Sequence, residues 1–265
     1  MKILDVGNSF SQDAMTFLHQ AAATQGLDLT AVNLFLGGCS LETHWKNWEN
    51  DTPAYDYELN GRPTGRTVSI REALEEGGWD WIAMQQVSQD SGWQDTYEPF
   101  LTQLLEVFRA FAPDARLCLH ETWAYEKDSG HGGFARYRRD QAEMYERLRA
   151  CYAAQAQKHG LVLIPCGDVI QALRGTAPFD VSRGGRSLCR DGFHMSYGYG
   201  RYALACTWLR RLFGLDMVRN TYRPESEEQV EETALSLIRE TVDATVVKAA
   251  QASRTGCAGS ADRQA

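Results

Sequence analysis

The sequence predicts an α/β fold, a parallel β-sheet covered by helices. Short apolar runs alternate along the chain with longer amphipathic stretches, the pattern of repeated β-α units. Of 265 residues, 43% are hydrophobic and 23% charged, a balance that supports a sizeable packed core. Neither an internal repeat nor a linker divides the chain.

Strands are expected at residues 2–6, 29–35, 81–85, 115–119 and 162–164, five in all. Helices are expected at 11–25, 68–76, 96–111 and 134–159. Asp95 or Thr96 would cap the third helix and Pro113 would stop it. Phe134, Tyr137, Met144, Leu148 and Cys151 share one face of the fourth, which Gly160 would end. A strongly apolar helix follows at 197–213, and another near 224–248 opens with Glu225, Glu227 and Glu228, suited to a helix N-terminus. Residues 38–67 are long for a connection between strand and helix, and Asn60-Gly61 within them signals a small hairpin. The expected organisation is a main domain over 1–215 with the insertion at 38–67, a helical extension over 216–251, and a small, polar, disordered tail over 252–265.

The net charge of -8 and the lack of a basic stripe argue against nucleic acid as a partner. No apolar run is long enough to span a bilayer, so no membrane association is expected. Met1-Lys2 leads directly into Ile3–Val6 without a signal-peptide pattern, and the expected compartment is the cytoplasm. Seven cysteines at irregular spacing, with no Cys-x-x-Cys, read as free buried thiols.

Two short motifs carry the chemistry. Gly7-Asn8-Ser9 places Ser9 where the first strand runs into a helix, beside free backbone N–H groups that could hold an oxyanion. Asp191-Gly192-Phe193-His194 places an acid three residues before a histidine, so Asp191 could orient His194 toward Ser9. Between them, Leu36-Gly37-Gly38-Cys39-Ser40 follows the second strand, where glycine lets the backbone approach a ligand. Met84-Gln85-Gln86-Val87-Ser88-Gln89-Asp90 follows the third, where a glutamine amide could donate to an oxyanion.

These four segments, in this order and at these strand ends, resemble the SGNH (GDSL-type) hydrolase superfamily over about residues 1–215. The resemblance implies a three-layer α/β/α sandwich with a flavodoxin-like parallel sheet of five strands. It implies Ser9 as nucleophile, His194 as base, Asp191 as the orienting acid, and the N–H groups of Ser9 and Gly38 in the oxyanion hole, with no metal and no organic cofactor. Position 8 departs from the family's Asp. Gln85-Gln86-Val87-Ser88 departs from the usual third block and is more similar to that of the carbohydrate and sialate O-acetylesterase branch. That similarity points to Gln85 as the third donor, with Gln86 the alternative. The phrases around Ser9 and His194 also resemble a bacterial subgroup without an assigned function.

Trp45, Trp48, Trp93 and Trp123 follow strands on the side of Ser9, where indoles could stack on sugar rings or pack under the insertion. Arg190, with Arg174, Arg183 and Arg186, could bind an anionic sugar or be solvated surface charge. Trp45, Trp123, Gln86 and Arg190 are therefore the candidate substrate contacts. His120-Glu121 with His131 lacks the spacing of a zinc protease and should line the pocket mouth or pack structurally. The expected function is a serine esterase removing O-acyl, foremost O-acetyl, groups from a carbohydrate, its partner being a small-molecule or oligosaccharide ester. A lipid or thioester hydrolase and a silent ligand-binding module are the alternatives. Whether the chain forms a homo-oligomer is left open.

Overall fold

The computed structural model describes residues 1–258, with side chains through Gln251. Its strands are β1 (Lys2–Gly7), β2 (Thr30–Phe35), β3 (Tyr55–Leu59), β4 (Arg62–Val68), β5 (Trp81–Met84), β6 (Arg116–His120) and β7 (Val162–Ile164). They form one sheet of order β4-β3-β2-β1-β5-β6-β7. β2, β1, β5, β6 and β7 are parallel, and these are the five strands read from the sequence. The sheet has seven strands rather than five because the insertion's hairpin pairs antiparallel with β2 and extends the edge.

The hairpin turns at Asn60 and Gly61, both at positive φ (53° and 77°), the backbone of a tight primed turn. A Cβ on Gly61 would stand 2.1 Å from the Thr16 carbonyl, so only glycine permits this approach. Asn60 also clamps the start of β2, accepting the Ala31 N–H at Oδ1 (2.9 Å) and donating its own N–H to Ala31 O (2.7 Å).

The helices are α1 (Ser9–Met15), α2 (Leu18–Ala23), α3 (Leu41–Glu49), α4 (Ile70–Glu75), α5 (Phe100–Phe111), α6 (Gln141–His159), α7 (Cys166–Arg174), α8 (Tyr199–Phe213) and α9 (Glu232–Ala258). They flank the sheet, giving the expected α/β/α architecture. α1, α2, α7 and α9 gather around α8, while α3, α4 and α5 pack together. A full capping box between Ser69 and Glu72 starts α4. Asp140 caps α6 and Gly160 closes it at φ 65°.

Several expected boundaries move. The single helix over 11–25 is two, α1 and α2, and its N-cap is Asn8. The helix expected from 96 starts at Phe100 after a 3-10 turn at Gln94–Thr96. The helix expected over 134–159 is interrupted at Arg138 and Arg139, both at positive φ, and its first part is a 3-10 turn at Gly132–Tyr137. The last helix starts at Glu232 and continues to Ala258, so the expected tail is helical through that residue; 259–265 lie outside the described residues. Leu235, Ile238 and Val242 of α9 are fully buried in the same core as the sheet, against α7 and α8. Six cysteines among the described residues are free and buried. Among the described residues no helix is long and apolar enough to cross a membrane.

Candidate active site

β1 has β2 on one side and β5 on the other, so the chain reverses its direction of winding across the sheet at β1. Ligands of open α/β sheets bind at the carboxyl ends of the strands at such a switch point. β1 ends at Gly7, Asn8 caps α1, and Ser9 is its first helical residue. A Cβ on Gly7 would meet Gln85 Nε2 and Ser11 Oγ at 2.5 Å, so glycine is required there for these side chains to cross the strand end.

Asn8 organises the site through both ends of its amide. Oδ1 accepts from Phe10 N (3.0 Å) and from Gln85 Nε2 (3.3 Å), and Nδ2 donates to Cys39 O (3.0 Å). One side chain thus ties the start of α1 to the glycine turn after β2. Gly38 in that turn sits at φ 65°, where a side chain would be strained. No hydrogen bond from Ser9 N or Gly38 N to a protein acceptor is present among the described residues.

Ser9 Oγ lies 2.8 Å from His194 Nε2, and His194 Nδ1 lies 2.7 Å from Asp191 Oδ2. The other Asp191 oxygen accepts from Phe193 N (3.2 Å) and His194 N (2.8 Å). Burial works against its charge, but the hydrogen bonds from the His194 ring and these two N–H groups outweigh it, holding the carboxyl below its usual value. An ionised Asp191 only accepts, so the imidazole proton sits on Nδ1 and Nε2 is left to accept from the Ser9 hydroxyl.

The loop bearing Asp191 and His194 is held from three sides. Its own two ends close through Arg190 N to His194 O (2.9 Å). The segment after β6 binds it through Trp123 Nε1 to Phe193 O (2.7 Å) and Glu126 N to Gly192 O (2.8 Å). From α1, fully buried Asp13 accepts from Met195 N (2.8 Å) and pairs with Arg190 (2.9 Å) and Arg201 (2.8 Å). Phe10 stacks on Trp123 at 4.1 Å, and Phe193 covers the His194 ring at 4.1 Å.

A cavity of about 270 Å³ opens over this arrangement, lined among others by Ser9, Phe10, Gly37, Gly38, His131 and His194. Gln85 and Gln86 stand at the expected strand end but do not line it. Gln85 Nε2 is directed at Asn8, while Gln86 binds Leu41 N, Val87 N and Thr96 O, fastening loops together. Arg190 is taken up by Asp13. Trp123 is fully buried beneath the site, and Trp45 packs against the core. None of these residues lines the cavity. Gln89 and His131 line it instead, with no hydrogen bond from the Gln89 amide or His131 Nε2 to protein among the described residues. Gln89 lies in the segment the sequence marked, three positions beyond Gln86; the signal for Asn8 was its adjacency to Ser9.

His120 and Glu121, at the end of β6, are fully buried rather than at the pocket mouth. Burial pushes Asp5 up to about 8 and His120 down to about 3, and the two stand 4.0 Å apart. Among the described residues no group of three or more His, Cys, Asp or Glu is placed to hold a metal ion.

The DUF4886 family, described as a domain of unknown function, matches residues 2–242. The chain belongs to the DUF4886 family. A crystal structure of a DUF4886 family protein from Bacteroides uniformis is 33% identical, with a TM-score of 0.85 over 93% of this chain and 95% of that one. "A putative SGNH hydrolase from Slackia heliotrinireducens" is 20% identical, with a TM-score of 0.55 over 80% and 98%. Axe2, an acetylxylan esterase from Geobacillus stearothermophilus solved as a catalytic mutant, is 14% identical, with a TM-score of 0.51 over 79% and 93%. This DUF4886 chain therefore has the SGNH hydrolase fold. Among curated proteins none matches it.

Proposed function

We propose that this chain is a serine esterase that hydrolyses O-acyl esters of a carbohydrate, foremost O-acetyl esters, through Ser9, His194 and Asp191. The observation that carries the reading is the continuous relay from Asp191 Oδ2 through both nitrogens of His194 to Ser9 Oγ, at 2.7 and 2.8 Å, opening on a cavity. A serine attacks an ester only when a base takes its proton, and an orienting acid sets the tautomer of that base.

In the reaction, Ser9 Oγ attacks the ester carbonyl carbon as its proton passes to His194 Nε2. Asp191 stabilises the imidazolium that forms. The carbonyl oxygen, now an oxyanion, is held by the N–H groups of Ser9 and Gly38, the former aided by the positive end of the α1 peptide dipoles. His194 returns the proton to the leaving alcohol oxygen as the tetrahedral centre collapses to an acyl-serine. Water, deprotonated by His194, attacks the acyl-serine and releases the carboxylic acid. Removing one such oxyanion donor typically costs about 100-fold or more in kcat. A cavity of about 270 Å³ favours a short acyl group over a long chain. The fold shared with an acetylxylan esterase adds support for a sugar ester.

The test is hydrolysis of 4-nitrophenyl acetate, butyrate and octanoate by the wild type and by Ser9→Ala. Acetate turnover that falls by about 1,000-fold or more in Ser9→Ala supports the reading. Full activity in Ser9→Ala overturns it, and a preference for octanoate transfers the site to lipid or thioester substrates.

A further inference from the structure

His131 is the second histidine of the cavity, and its ring is fixed more firmly than a surface histidine's. Its Nδ1 accepts the N–H of Gly133 at 3.0 Å. A nitrogen that accepts carries a lone pair, so the neutral ring has its proton on Nε2. The ring packs against both Tyr125 and Phe193, each with ring centres 4.8 Å away, and these two rings also touch one another at 5.7 Å. Gly133 allows the tight turn: a Cβ there would stand 3.2 Å from the His131 ring and 2.5 Å from Gln89 Cβ. Burial first, and then the neighbouring His194, lower the His131 pKa and keep the ring neutral. What remains is a single oriented N–H, with no protein acceptor among the described residues, on a side chain that lines the cavity with Ser9.

Phe193 packs against both histidines, 4.8 Å from the His131 ring and 4.1 Å from the His194 ring. His131 and His194 line the same cavity, so His131 is a neighbour of the base that protonates the leaving oxygen.

Resting on the esterase reading above, we propose that His131 is a specificity residue whose Nε2–H donates to an oxygen of the leaving alcohol. The alcohol it selects carries a hydroxyl, ether or ester oxygen next to the scissile ester, as a sugar ring does and a nitrophenyl group does not. A site built to hydrogen-bond such an oxygen discriminates strongly against an alcohol that lacks it.

The experiment compares kcat and KM for glucose pentaacetate and 4-nitrophenyl acetate in the wild type, His131→Phe, His131→Gln and Ser9→Ala. His131→Phe is expected to lose about tenfold more kcat/KM on the sugar acetate than on the aryl acetate. His131→Gln, which keeps an N–H donor, is expected to recover part of that difference. Equal losses on both substrates in His131→Phe, or a selective loss that Gln does not relieve, would overturn the assignment. Ser9→Ala separates the two levels: if it keeps activity, the esterase reading itself fails, whereas its loss of both activities leaves His131 as the only matter judged.

Discussion

The carboxylate of Asp13 accepts the backbone N–H of Met195 at 2.8 Å, joining α1, one turn beyond Ser9, to the residue that follows His194. Ser9 and His194 are 185 residues apart in the chain, yet their relative position is set through this buried acid and its pairs with Arg190 and Arg201.

Asp13→Asn should therefore lower stability and activity together. Replacing one partner of a buried charge cluster leaves the others uncompensated, at a cost of about 3 kcal/mol. Urea unfolding should show that loss, and kcat should fall further than the folded fraction explains, because His194 is no longer held over Ser9. Wild-type stability in Asp13→Asn would contradict the anchoring role.

Asn8→Asp tests the crosslink between α1 and the glycine turn. A carboxylate keeps the cap on Phe10 N but faces the Cys39 carbonyl with an acceptor, losing a hydrogen bond and adding repulsion. The expected cost is about 1–3 kcal/mol in thermal or urea unfolding. It should come with a drop in kcat as Gly38 shifts. This interaction gives a physical reason for asparagine at a position where the superfamily has aspartate. Unchanged stability and kcat would show that the Cys39 contact is dispensable.

Asp5 gives a pH dependence whose sign follows from its shift. Buried in β1, its pKa rises from 3.8 to about 8, so the folded state binds a proton that the unfolded state has released. Its favourable contribution is complete below about pH 4 and is lost as pH rises through about 8. Asp5→Asn removes that loss, so the stability of the variant relative to wild type should increase from pH 6.5 to pH 8.5. Parallel stability curves across this range would mean that Asp5 is solvated or paired in the folded protein.

Local signals made much of this molecule legible. The five parallel strands, Ser9 at a strand end, and Asp191 three residues before His194 are features of short segments, and each could be read without knowing the fold. Tyr57–Arg62 could be read as a hairpin, but its pairing with β2 is a long-range register that no local pattern encodes. α7 carries Cys166, Val169, Ile170 and Leu173 at helical spacing, a legible signal that the short β7 and Pro165 before it obscured. The glutamines illustrate the other limit. Gln85 and Gln86 lie at the right strand end, but their direction is decided by Asn8, Leu41 and Thr96, which only the folded chain brings near. Arg190 and Trp123 likewise have partners, Asp13 and Phe193 O, that are distant in sequence.

Covalent labelling distinguishes Ser9 as the nucleophile from every other serine in the chain. The protein would be incubated with a small alkyl fluorophosphonate, digested, and searched by mass spectrometry for the modified residue. One stoichiometric adduct on Ser9, slowed strongly in His194→Ala, is the predicted result. An adduct on another residue, or labelling that proceeds equally in Ser9→Ala, would contradict it.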